Sequence, residues 1–329
     1  LYTSDLPGAA WFRHRAQEAT DELAVLTGER LEFDPERRLR GRRGRRNDLE
    51  QTYALFTGGR ALAENLALDQ AVEPADSAGP LVPVDEITGI TVVEMEFPQP
   101  AEIAIDALVS RIPIDQHGIF FPSFASFVRV VDELKASGAP ALELFDASSH
   151  DARTQERYER QLCLPLDGAA RAFGGTLIES VAITGCDPYL RTGSDVTVLL
   201  RAREISLLEA FVAERQEAAQ VQADARDIRT TIGGVEVIGV VTPDRSISSY
   251  RMRLEGDLVV SNSLPALERI VETVQGERES LLAAPEYPFF RDRYPVDEPE
   301  DAFLVLSDAT IRRWCGPRWR IGASRRVRA

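Results

Sequence analysis

Gly256-Asp257-Leu258-Val259-Val260-Ser261 is a short apolar strand that ends on a serine. Leu267, Ile270, Val271 and Val274 then recur at helical spacing, so the strand feeds an amphipathic helix. The same order occurs at Gly118-Ile119-Phe120-Phe121-Pro122-Ser123, ahead of Phe127, Val128, Val131 and Leu134. It occurs again at Asp301-Ala302-Phe303-Leu304-Val305-Leu306-Ser307, ahead of Ile311 and Trp314. These repeated strand–Ser–helix units predict a scaffold of strand, turn and helix. Ser123, Ser263 and Ser307 stand where an N-cap accepts a backbone N–H from a helix's first turn. A nucleophilic serine at such an elbow needs flanking glycines, and none of the three has them.

Outward from Gly256 the pattern is an antiparallel meander. Thr230-Thr231-Ile232 and Val235-Glu236-Val237-Ile238 flank Gly233-Gly234, a pair that supplies the positive φ of a tight hairpin. Pro243-Asp244-Arg245 forms the next turn, Ser246 to Leu254 the next strand, and Glu255-Gly256 the turn after it. Further back, Leu177–Thr184 and Asp195–Arg201 read as two strands joined by a polar loop, and residues 151–173 as helix broken near Pro165. Ile205, Leu208, Phe211 and Val212 mark another helix face. Pro100 opens a helix through Val109, and Pro285–Pro299, with its many prolines, reads as a long packed loop. Meanders mixed with helices give α+β, with antiparallel and mixed sheets.

The N-terminal part differs. Residues 1–72 read as a helical segment: Trp11, Ala19, Leu23 and Leu26 mark one helix, and Leu49, Tyr53 and Phe56 a second. Between them lie Arg37, Arg38, Arg40, Arg42, Arg43, Arg45 and Arg46, with two glycines, as a self-repelling loop. Residues 73–84 are a linker by composition. The expected organisation is therefore 1–72, a linker at 73–84, an α+β lobe at 85–225 and a second at 226–329.

The 329 residues carry a net charge of −15. That field opposes nucleic acid and anionic membranes over most of the surface. Lys135 is the only lysine, which leaves little scope for Schiff-base chemistry. Cys163, Cys186 and Cys315 are far apart and odd in number, so a disulfide framework is not expected. No run of about 18 apolar residues exists, so no membrane span is expected. The chain opens on Leu1 and ends at Arg328-Ala329, and it reads as a piece of a longer protein.

No signature of catalysis, metal or cofactor binding stands out. Ser148-Ser149-His150-Asp151 is an adjacency rather than a triad, and reads as a helix cap. His14 and His117 have no partner at metal-ligand spacing. The candidate site is the loop 184–195, which offers Cys186, Asp187, Tyr189, Arg191 and Asp195 within twelve positions.

Leu306-Ser307-Asp308-Ala309-Thr310-Ile311-Arg312-Arg313-Trp314, Leu164-Pro165-Leu166-Asp167-Gly168 and Val181-Ala182-Ile183-Thr184-Gly185-Cys186-Asp187-Pro188-Tyr189 resemble stretches of large bacterial proteins, often predicted to be exported, that carry a domain of unknown function. The resemblance covers 85–329 and implies an envelope-associated protein; it supplies no catalytic residue.

Three functions follow as expectations. The first is a non-enzymatic binding or structural module of a larger bacterial protein, with a protein partner. The second is a hydrolase or transferase using the 184–195 loop, with Asp187 or Asp195 as base and Arg191 holding an anion. The third is capture of an anion or nucleic acid by the Arg37–Arg46 tract.

Overall fold

A computed structural model describes residues 97–315 apart from 99, 101–102, 139–152, 188–193, 224 and 298–299. The helical segment, the linker and the arginine tract expected in 1–84 lie outside the described residues, as do His14 and the stretch 148–151. The described residues belong to one compact unit, Ile90–Gly316.

The fold is α+β. Eight strands form one antiparallel sheet: β1 His117–Phe121, β2 Ile178–Gly185, β3 Thr197–Ala202, β4 Arg226–Ile232, β5 Val235–Val241, β6 Ser248–Leu254, β7 Asp257–Ser261 and β8 Phe303–Val305. Their order across the sheet is β4-β5-β6-β7-β3-β2-β1-β8. The helices are α1 Phe124–Glu133, α2 Thr154–Gln161, α3 Gly168–Leu177, α4 Ile205–Ala223, α5 Leu264–Val274, α6 Glu286–Arg293 and α7 Asp308–Cys315. The sheet does not divide at 225/226: β3 pairs with β7, and β8 pairs with β1. The two lobes expected from the sequence thus contribute strands to one sheet.

Both faces of this sheet are covered, which is why its central strands are apolar without alternation. Leu258 and Val260 point into one core, with Phe121, Val181 and Leu200, under α1 to α4. Val259 points into the other, with Phe120, Ala182 and Leu199, under α5, α6 and two 3-10 turns, Val109–Arg111 and Leu281–Ala283. Each fully buried Leu or Val side chain contributes about 1.5–3 kcal/mol. The edge strand β4 has one wet face and alternates: Ile228 and Ile232 pack inward, while Arg226, Asp227 and Arg229 stay at the surface and protect the edge from further pairing.

The serines cap helices. Ser123 Oγ accepts the N–H of Ser126 at 3.1 Å, Ser263 Oγ that of Ala266 at 3.3 Å, and Ser307 Oγ that of Thr310 at 3.0 Å. The buried Ser307 hydroxyl also donates to the carbonyl of Ile114 at 2.5 Å. The local design is shared, but α1 and α5 pack on opposite faces of the sheet. In the hairpin, Gly233 and Gly234 have φ of 54° and 82°, the left-handed region that glycine enters without strain.

Two expected elements differ. Described residues 103–106 form no helix. Asp106 instead receives Arg291 through both carboxylate oxygens at 2.8 Å and the hydroxyl of Tyr287 at 2.7 Å, a buried network that ties this stretch to α6. The proline-rich stretch expected as loop contains α6. Pro285 is its N-cap and Pro288 lies in its first turn, where a missing N–H costs no intrahelical bond.

Candidate functional site

A cavity of about 220 Å³ lies between the sheet and helices α1 to α4. Its floor is the row formed by Ile183 on β2 and Val198 on β3, which are cross-strand partners. Its walls include Phe124 and Phe127 of α1, Tyr158 and Leu162 of α2, and Leu208 and Phe211 of α4. The volume comes from α3: Ala170 and Gly174, one helical turn apart, line it where larger side chains would fill it. Gly174 also lets the Phe124 ring lie against the helix, since a Cβ there would overlap the ring. Ile183 and Val198 are only half-buried despite their central position in the sheet, because none of the described residues fills the space above them. Walls of this kind favour an apolar occupant; an engineered cavity of ~150 Å³ with such walls takes up benzene.

The polar groups at the cavity are few. Gln155 donates to Glu159 at 2.5 Å, and the other Glu159 oxygen accepts the N–H of Leu166 at 3.3 Å. The Tyr158 hydroxyl accepts the N–H of Ser194 at 2.9 Å. Arg215 of α4 stacks on the Phe211 ring, 3.6 Å from its centroid, and its Nη2 donates to both oxygens of Asp167 at 3.0 Å. Asp167 is itself the N-cap of α3, accepting the N–H of Ala170 at 2.8 Å. That bond first, and Arg215 second, hold its carboxyl below the usual range.

The described parts of the candidate loop, 184–187 and 194–195, lie at the end of β2 and just before β3, and two of its candidates come together there. Asp195 Oδ1 accepts the N–H of Cys186 at 2.9 Å. Cys186 Sγ accepts from Arg269 Nη1 at 3.1 Å and from Gln116 Nε2 at 3.4 Å, and its carbonyl accepts the indole N–H of Trp314 at 2.8 Å. Burial, with the Asp195 carboxylate beside it, pushes this thiol up to about 12, so it stays protonated at neutral pH. Ser194 Oγ donates to the carbonyl of Asp187 at 3.4 Å. Tyr189 and Arg191 lie outside the described residues. Cys186, Asp187 and Asp195 do not line the cavity.

His117 stands beside Trp314, ring centroids 5.8 Å apart. It is buried, its Nδ1 has no hydrogen-bond partner, and burial holds its pKa down to about 4, against the pull of Asp195. Among the described residues no group of three His, Cys, Asp or Glu side chains could hold a metal, and no helix is long and apolar enough to cross a membrane.

Sequence reasoning missed the cavity. Ile183 and Val198 look like ordinary strand residues, and Tyr158 and Arg215 like ordinary helix residues. The one available signal was the run of small residues in Gly168-Ala169-Ala170 and Gly174-Gly175, which leaves a helix face too thin to fill the space over a sheet.

Fold and cavity together define an antiparallel α+β sandwich with helices on both sheet faces and an apolar chamber under one of them. Comparison of the chain with protein-family models, curated proteins and solved structures finds no match in any of the three.

Proposed function

We propose that this chain is a non-enzymatic binding module of a larger bacterial, envelope-associated protein, and that it takes a small apolar molecule into the chamber over Ile183 and Val198. The observation that carries this reading is the chamber itself: about 220 Å³, walled by aliphatic and aromatic side chains, in an otherwise close-packed core. Cores normally leave few voids larger than a water molecule. The bacterial and envelope setting rests on the resemblance of residues 85–329. The occupant argued from the structure is a small molecule, where the sequence alone pointed to a protein.

Titration calorimetry of the 329-residue chain with 1-octanol tests it. Binding with a negative heat-capacity change is expected. Val198→Phe, which fills the chamber, should abolish that binding while the protein stays folded. Equal binding by wild type and Val198→Phe would place octanol elsewhere and overturn the reading.

A further inference from the structure

We infer that the chamber selects an amphiphile with an anionic head, such as a medium-chain carboxylate, and that Arg215 is the residue that reads the head. This rests on the chamber's being a ligand site at all.

Arg215 stands on α4. Its side chain is only 15% exposed and forms part of the chamber wall. One guanidinium nitrogen, Nη2, is committed to Asp167. Nε and Nη1 hydrogen-bond to none of the described residues. A guanidinium is a planar fork built to meet a carboxylate through two donors, and here one edge of that fork has no acceptor among the described residues. Stacking on Phe211 fixes the plane of the group, so little freedom is lost when a second acceptor arrives. These donors are not among the buried unpartnered atoms of the described residues, so they are open to an incoming acceptor, and an anionic head is the partner that suits them best.

The charge around the rim agrees. Glu159, the other charged group in the wall, is already held by Gln155 and the N–H of Leu166. Asp167 serves as a helix cap, so it can share Arg215 without being left bare. The tail follows from the volume. Scaling from benzene in ~150 Å³, the chamber accommodates about nine carbons. A chain of that length with a carboxylate at its end would bury its methylenes against Ile183, Val198 and Leu208 and leave its head at Arg215.

The test compares octanoate, 1-octanol and octylammonium on the wild-type chain at pH 7.5, by calorimetry. Octanoate should bind best, by about tenfold or more over octanol, the range of a charge-assisted hydrogen bond, and octylammonium worst. Arg215→Gln should remove the preference for octanoate over octanol. Equal affinity for octanoate and octanol in the wild type overturns the inference and leaves the chamber reading standing. Binding of none of the three overturns both. Should Arg215→Gln fail to fold, the wild-type head-group series still decides the matter.

Discussion

Ile183 and Val198 face each other across β2 and β3, in the middle of an eight-stranded sheet, and neither is fully buried. Their neighbours on the same face, Val181 and Leu200, are at 1% and 6% exposure. The difference is the chamber above the pair. It makes one substitution behave unlike its neighbour on the same strand. Val198→Phe adds a ring to empty space, and should leave the melting temperature unchanged or raise it by a few degrees. Leu199→Phe adds volume to the packed opposite face, where overpacking costs about 1–3 kcal/mol. Thermal denaturation of the two variants side by side checks this; equal destabilisation would mean the chamber is closed in solution.

The three capping serines should separate by burial. Ser263→Ala loses its cap bond, and Ser123→Ala its cap bond and a half-buried contact with the Ser126 hydroxyl at 3.0 Å, about 1 kcal/mol each. Ser307→Ala also strips Ile114 of a buried donor and Thr310 of a partner at 2.8 Å, which adds about 1–3 kcal/mol. Urea unfolding of all three measures it. A loss at Ser307 no greater than at Ser123 would contradict the buried geometry.

The fold was largely legible because its determinants are local. Gly233-Gly234 and the serines before α1, α5 and α7 act over a few residues, and each is where the sequence placed it. The single sheet was not legible. Nothing in β3 or β7 states that Val198 will pair with Val260 across more than sixty residues of intervening chain. The same limit hid the buried bridge between Asp106 and Arg291. In the candidate loop, proximity of Cys186 to Asp195 followed from sequence, but their engagement by Arg269, Gln116 and Trp314 is tertiary.

That buried bridge carries its own expectation. Asp106 and Arg291 are 8% and 5% exposed, and Arg291 also lies 3.8 Å from the Phe303 ring centroid. Removing one partner leaves the other charge buried and unpaired. Arg291→Met should therefore cost about 3–5 kcal/mol, and Arg291→Met with Asp106→Leu should recover much of it. A single variant within 1 kcal/mol of wild type, as an order of magnitude, would show that the pair is solvated.

His117 sets the response to mild acid. Its folded pKa of about 4 lies below its ordinary 6.5, so the native state resists a proton that the unfolded chain takes up. Stability is fully present above pH 6.5 and declines as pH falls towards 4, by up to about 3 kcal/mol. The carboxylates lowered by ion pairs or caps, Asp132, Asp167 and Asp301, act below that window. His117→Phe should flatten the decline between those limits. An unchanged pH profile would mean that the imidazole reaches water.

The chamber as an apolar-ligand site is tested most directly by nuclear Overhauser contacts between bound octanoate and methyl-labelled protein. Cross-peaks from the ligand's methylenes to the methyls of Ile183, Val198 and Leu208 are expected. Cross-peaks confined to exposed leucines such as Leu207 and Leu304, with none to those three, would contradict it.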